Sequence, residues 1–193
     1  EIFTGANKKG PRVAVIDYGC KQNIIRELVA RCSEVKVFPC RTKASEIKAY
    51  DPQGILLSNG PGNPQDVDGA VETIQQLVGW RTVFGICMGH QLLCLALGGK
   101  TYKLKFGHRG SNPPILDKLL NQVYISSQNH GYAVKRGSLP EDVEETQINL
   151  NDNTVAGINS DKRKCFSVQF HPESHPGPRE ASELFDHFVK RVL

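Results

Sequence analysis

The sequence predicts an α/β protein with an open, mostly parallel, twisted sheet, helices on both faces and a small antiparallel section. Short apolar runs alternate with segments whose apolar residues recur at the spacing of one helix face. Two of the runs end in glycine-containing turns, at the position where open α/β sheets bind ligands. The length of 193 residues suits a single domain over 1–193 with a substantial core.

In the first half of the chain, strand-like and helix-like segments alternate regularly. Pro39 stops the second strand, and Gly98-Gly99 is a plausible C-cap for the fourth helix. The predicted strands lie at 12–17, 34–38, 54–58 and from 82 to the region of Cys87. The predicted helices lie at 21–31, 44–50, 68–78 and 91–97.

The second half is more strand-rich. Alternation at 101–106 predicts a half-exposed strand, followed by an irregular loop at 107–114. Strands at 123–127 and 132–135 flank a loop at 128–131 and predict the antiparallel section. The acidic, polar segment 139–152 reads as a surface insert. Two further strands at 154–158 and 165–170 precede an amphipathic helix within 179–193.

Composition excludes several classes of function. The net charge of +4 comes without long runs of like charge, so the chain is not expected to bind nucleic acid. No apolar run approaches the ~20 residues of a membrane span, and there is no signal peptide. The chain begins at Glu1 without an initiator methionine, and we expect it to be part of a longer polypeptide. Scattered cysteines without a CxxC pair favour a cytoplasmic location, and the histidines show no metal-ligand spacing.

Cys87 is the strongest candidate for chemistry. It lies in Gly85-x-Cys87-x-Gly89, between a predicted strand and a predicted helix. Small residues two before and two after a nucleophile permit a sharp elbow that pushes the nucleophile out of the backbone. A helix N-terminus also favours a thiolate. We therefore predict that Cys87 is a nucleophile, whereas Cys94, inside the helix, is a buried structural cysteine.

Two other segments fit a site built around Cys87. The loop 58–64 follows a predicted strand and offers open backbone N–H groups, as an oxyanion site requires, but lacks the Gly-Lys-Ser/Thr of a P-loop. His171-Pro172-Glu173 ends another predicted strand, so the imidazole and the carboxylate can lie side by side. A base held by a carboxylate and facing a thiol follows triad logic. His90 is interpreted as structural; His108 and His130 are placed in loops where they could contact a ligand or partner.

These segments resemble the three motifs of the class I, triad-type, glutamine amidotransferases. The resemblance is carried by Ser58-Asn59-Gly60-Pro61-Gly62, Gly85-Ile86-Cys87-Met88-Gly89-His90-Gln91 and His171-Pro172-Glu173. Three more segments resemble the glutaminase half of the carbamoyl-phosphate synthase small chain. They are Asp17-Tyr18-Gly19-Cys20-Lys21-Gln22-Asn23-Ile24, Lys105-Phe106-Gly107-His108-Arg109-Gly110 and Ser127-Gln128-Asn129-His130-Gly131-Tyr132.

The resemblance implies a flavodoxin-like fold and a division of roles. Cys87 would form a glutamyl thioester, His171 would act as acid and base, and Glu173 would orient His171. The oxyanion hole would consist of backbone N–H groups of Met88, where leucine is commoner, and of Gly60 and Gly62. The residues expected to hold L-glutamine are Gln91, Asn129, Gly131 and Tyr132.

The resemblance also implies a partner. Ammonia would pass to the carbamoyl-phosphate synthase large chain, for arginine and pyrimidine biosynthesis, with ATP and Mg²⁺ on that partner and no cofactor in this chain. The N-terminal domain of the family's small chain, which supplies a serine near the glutamine, is absent from this sequence. Two alternatives remain open at this point: an amidotransferase for another acceptor, such as a guanylate or anthranilate system, and a non-catalytic regulatory relative.

Overall fold

The computed structural model describes residues 1–175 and 177–193. It has a mixed sheet whose centre is parallel, which confirms the predicted fold class. The strands that enclose this centre run in the order β1-β3-β2-β4-β5-β12-β11-β10-β7-β8, and β9 pairs with both β11 and β6. The strands are β1 (Ile2–Thr4), β2 (Arg12–Asp17), β3 (Glu34–Pro39), β4 (Gly54–Leu57), β5 (Thr82–Ile86), β6 (Thr101–Gly110), β7 (Pro114–Asp117), β8 (Gln122–Ile125), β9 (Gln128–Val134), β10 (Glu144–Asn149), β11 (Val155–Ser160) and β12 (Cys165–Val168).

Five α-helices cover the parallel centre from both sides. They are α1 (Gln22–Arg31), α2 (Ala44–Tyr50), α3 (Ala70–Leu77), α4 (Met88–Ala96) and α5 (Glu183–Val192). One buried cluster joins α1 and α5 to one face of the sheet, through residues such as Leu28, Phe84 and Phe185. A second cluster joins α2, α3 and α4 to the other face, through residues such as Ile74 and Leu92. Apolar burial on both faces is what the continuous apolar runs require.

The parallel register positions the functional region. β2, β3, β4, β5 and β12 are parallel neighbours, and Val168 of β12 lies opposite Ile86 of β5. The carboxyl ends of β4, β5 and β12 therefore meet at one edge of the sheet. The loops that follow these three strands contain the three motifs singled out in the sequence, which is the position where open α/β sheets hold ligands.

The antiparallel part is larger than the sequence indicated. β6 continues through 107–110, and β9 includes 128–131, because the two strands pair with each other across a bulge between Lys103 and His108. The prediction of loops at these positions was therefore wrong. β8 pairs with β7 and not with β9.

The prediction of a surface insert at 139–152 was also wrong in part, because β10 lies between β11 and β7. Its buried Thr146 and Gln147 bond to each other, at 2.6 Å from Thr146 Oγ1 to Gln147 Oε1. Hydrogen bonding of this kind lets polar residues occupy a sheet interior, which hides a strand from hydrophobicity patterns. The short β1 and β7 escaped prediction for want of an apolar run.

Two properties of the whole chain complete the description. The helices within 1–175 and 177–193 are all too short or too polar to cross a bilayer. The thiols of all six cysteines are free.

Candidate active site

Cys87 forms a sharp elbow between β5 and α4. Its backbone has φ 53° and ψ −100°, a conformation that non-glycine residues rarely adopt. The elbow is held from both sides: the Cys87 N–H donates to Val168 O at 2.8 Å, and the Gly89 N–H donates to Ser58 O at 3.0 Å. A β-carbon on Gly89 would overlap the carbonyl oxygen of Leu57. Close approach of α4 to β4 therefore explains why glycine follows the cysteine.

His171 and Glu173 form a buried pair just after β12. The His171 Nδ1 atom lies 2.8 Å from Glu173 Oε1, and the two residues are only 4% and 1% exposed. The His171 N–H donates to Ser127 O at 2.9 Å, which fixes the main chain at this point. Because β12 is the parallel neighbour of β5, the pair is brought to the Cys87 elbow despite the long stretch of chain between them.

The ionisation of His171 reflects three surroundings. Burial disfavours the imidazolium, but hydrogen bonds to Cys87 and Glu173, together with their negative charges, outweigh burial and raise the pKa of His171 to about 9. His171 is therefore an imidazolium at neutral pH, in contact with a thiol at a helix N-terminus. This charge arrangement suits a thiol that transfers its proton to the base before it attacks.

A lysine extends the interaction behind the pair. The Lys21 Nζ atom lies 3.6 Å from Glu173 Oε1. The other carboxylate oxygen, Oε2, is buried and has no hydrogen-bond partner among residues 1–175 and 177–193. Glu173 thus directs its charge towards His171 with little competition from other donors.

A polar cavity of about 220 Å³ opens beside Cys87. It brings together the loop 60–62, the elbow and β9, and its walls include all three residues predicted for the oxyanion hole. Of the residues predicted to hold glutamine, Gln91, Asn129 and Gly131 also line it. The residues that line the cavity are Gly60, Pro61, Gly62, Cys87, Met88, Gln91, Arg109, Asn129, His130 and Gly131.

Tyr132 is placed differently from the other predicted substrate residues. It does not line the cavity; its carbonyl oxygen accepts from Gln91 Nε2 at 2.8 Å. The same carbonyl lies 2.7 Å from His130 Nδ1. Tyr132 therefore holds two cavity residues through its backbone.

Gln169 is a site residue that the sequence analysis missed. It is 1% exposed, and its Nε2 atom donates to Cys87 Sγ at 3.8 Å. Its Oε1 atom accepts from Gln91 Nε2 at 3.0 Å. The signal was available: in an extended strand, residue 169 points to the same side as His171.

The other histidines have distinct environments. His90 is fully buried, with Nδ1 2.8 Å from Ser167 Oγ, and burial followed by the charge of His130 lowers its pKa to about 3. This confirms the structural interpretation of His90. His108 Nε2 lies 2.7 Å from Asp152 Oδ2, a carboxylate that only the fold brings to it. His108 Nδ1 lies 3.3 Å from His130 Nε2.

A thiol at a strand-to-helix elbow, opposite a buried histidine–carboxylate pair on a doubly wound sheet, is the arrangement of the triad-type α/β enzymes. The comparison with protein families is consistent with this class. The chain belongs to the class-I glutamine amidotransferase family, whose model matches residues 14–191.

Two curated relatives and one solved structure place the chain more closely. It is 51% identical over 185 residues to a carbamoyl phosphate synthase small chain of Clostridium perfringens, covering 96% of this chain and 52% of the relative. It is 52% identical over 190 residues to that of Methanocaldococcus jannaschii, covering 98% and 53%. The chain thus spans about half the length of these relatives.

The solved structure is a Thermoplasma acidophilum protein described as part of a GMP synthase. The two chains superpose with a TM-score of 0.81 at 20% identity, over 95% of this chain and 94% of the other. At this identity the likeness concerns the fold alone.

Proposed function

We propose that this chain hydrolyses the side-chain amide of L-glutamine through a thioester on Cys87 and delivers the ammonia to a carbamoyl-phosphate synthase large chain. The carrying observation is the alignment of Cys87, His171 and Glu173 beside a polar cavity. The names of the relatives at 51% and 52% identity support the choice of partner. ATP and Mg²⁺ are assigned to that partner, and no cofactor to this chain.

In the first half-reaction, the Cys87 sulfur attacks the amide carbon of glutamine. The negative charge that develops on the amide oxygen is held by the Met88 N–H and by backbone N–H groups of Gly60 and Gly62. His171 then gives its proton to the leaving nitrogen, the carbon–nitrogen bond breaks, and ammonia departs. Glutamate remains bound to Cys87 as a thioester.

In the second half-reaction, the neutral His171 takes a proton from water, and the hydroxide attacks the thioester carbon. The carbon–sulfur bond breaks, glutamate leaves, and Cys87 returns as a thiolate beside the imidazolium. Glu173 stabilises that imidazolium and fixes the tautomer of the ring. Gln91, Asn129, Gly131 and Tyr132 are assigned to positioning glutamine, Tyr132 through its carbonyl and its contact with Gln91.

The test measures ammonia release from L-glutamine by the chain, alone and with a carbamoyl-phosphate synthase large chain. We expect Cys87→Ala to lose at least roughly a thousandfold of kcat, as removal of a nucleophile does. The matched control is Cys94→Ala, since Cys94 lies in the same helix but is fully buried, and burial followed by the charges of Cys165 and Glu145 raises its pKa. We expect it to retain kcat.

Two outcomes would contradict the proposal. Unchanged ammonia release by Cys87→Ala, or no glutamyl thioester on Cys87 in the wild type, would favour a non-catalytic relative. Ammonia incorporation with a guanylate or anthranilate synthetase chain, but not with the carbamoyl-phosphate synthase large chain, would favour a different acceptor.

A further inference from the structure

We propose that Arg109 binds the α-carboxylate of the amino-acid substrate and so selects free glutamine over amides that lack this group. The inference rests on the proposed function. Among the residues described around the cavity, Arg109 is the one side chain with a permanent charge. His130, also in the wall, is neutral at pH 7, because burial first and the charges of His108 and His171 next lower its pKa to about 4.

The fold places Arg109 beside a residue already assigned to glutamine. Arg109 of β6 is the register partner of Asn129 of β9. Directly opposed residues of antiparallel strands have β-carbons roughly 5 Å apart and share one face of the sheet. Both side chains line the same cavity. A charged fork and an amide therefore stand side by side in its wall, a combination that suits a carboxylate.

One contact holds the guanidinium in place without using its capacity. Arg109 Nη1 donates to Phe106 O at 2.8 Å, across the bulge of β6. This is the only hydrogen bond of the guanidinium within residues 1–175 and 177–193, and no carboxylate there forms an ion pair with it. Since a guanidinium has five N–H donors in a planar fork, most remain open to a ligand. Carboxylates are the anions that this fork binds through two parallel hydrogen bonds.

The substrate supplies the missing partner. A free amino acid carries a carboxylate that must lose water when it enters a cavity of about 220 Å³. Desolvation of a carboxylate is unfavourable unless a charged donor replaces the water. Arg109 provides that donor in the wall that also contains Cys87 and Gln91, which links recognition of the α-carboxylate to the position of the side-chain amide.

The experiment compares two ligands in two variants. Binding of L-glutamine and of L-glutaminamide, whose α-carboxylate is replaced by an amide, is measured by titration calorimetry, and KM and kcat for both are measured with the large chain present. We expect Arg109→Gln to raise the KM for L-glutamine by roughly tenfold or more, as loss of a charged hydrogen bond does. We expect little change in kcat or in the affinity for L-glutaminamide.

The matched control is Lys105→Gln, which removes one positive charge from an exposed position of the same strand, outside the cavity wall. We expect its KM values to equal those of the wild type. An equal rise in both variants, or an unchanged preference for L-glutamine in Arg109→Gln, overturns the inference. Loss of stimulation by the large chain with unchanged glutamine affinity would assign Arg109 to the partner contact instead. If the wild type neither binds nor hydrolyses glutamine, the proposed function itself fails.

Discussion

The amide nitrogen of Gln169 donates to the sulfur of Cys87, and the amide oxygen of Gln169 accepts from Gln91. One buried side chain thus joins the nucleophile to a residue assigned to the substrate. A donor beside a sulfur stabilises its negative charge, and its effect is strong where water is excluded. Gln169 is therefore expected to act as a positioning residue for Cys87.

Gln169→Glu keeps the shape and the acceptor oxygen but replaces the donor with a negative charge. We expect the pH profile of Cys87 alkylation by iodoacetamide to move to higher pH, and kcat to fall by roughly tenfold. Peptide mass spectrometry measures alkylation of Cys87 separately from the other cysteines. The uncharged variant Gln169→Met is the comparison, and it should move the profile less. Superimposable profiles for all three proteins would show that Gln169 serves packing only.

Glu173→Gln tests the role of the carboxylate. The hydrogen bond and charge of Glu173 contribute to the raised pKa of His171 against the opposing effect of burial. Without this charge, the pKa of His171 should fall, so the alkaline limb of the pH–rate profile, expected near 9 in the wild type, should move to lower pH. We expect kcat to fall by roughly tenfold to a hundredfold. An unmoved alkaline limb would contradict the orienting role.

Acid stability should depend on His90. The pKa of His90 is lowered to about 3 in the folded chain, whereas an unfolded chain has an ordinary histidine near pKa ~6.5. Below that pH the unfolded chain binds a proton that the folded chain excludes. The free energy of unfolding should therefore fall as the pH drops towards about 3, with a contribution from His90 of up to ~1.4 kcal/mol per pH unit.

Urea unfolding of wild type and His90→Gln at several pH values measures this contribution. The variant removes the titrating ring but keeps a polar side chain near Ser167. We expect the variant to lose less stability on acidification, whatever its stability at neutral pH. Curves that run parallel over the whole acidic range would mean that His90 does not exclude the proton.

Gly131→Ala separates binding from folding. A β-carbon on Gly131 meets no atom within 4 Å, and the residue lines the cavity. We expect the added methyl group to raise the KM for glutamine, with the free energy of unfolding changed by less than about 0.5 kcal/mol. The contrasting variant is Gly60→Ala, in which a β-carbon would overlap the carbonyl oxygen of Tyr18. It should lose both stability and kcat, because the loop must move. A Gly131→Ala variant with unchanged KM would remove Gly131 from the substrate site.

Much of the fold was accessible to pattern analysis because it depends on local order. The alternation of apolar strands with amphipathic helices predicted β2, α1, β3, α2, β4, α3, β5 and α4 close to their observed bounds. The elbow at Cys87 was equally accessible, because close backbone approach demands small residues at 85 and 89. His171 and Glu173 could be paired because an extended chain places residues two apart on one side.

The sequence by itself determined the class of fold, the elbow at Cys87 and the His171–Glu173 pair, since each follows from spacing within a few residues. Only the tertiary structure decided that Gln169 contacts Cys87, that Asp152 contacts His108 and that Arg109 stands opposite Asn129. Those relationships depend on which strands become neighbours and on a bulge in β6. Strand pairing is set by packing of the whole chain, and no short segment encodes it.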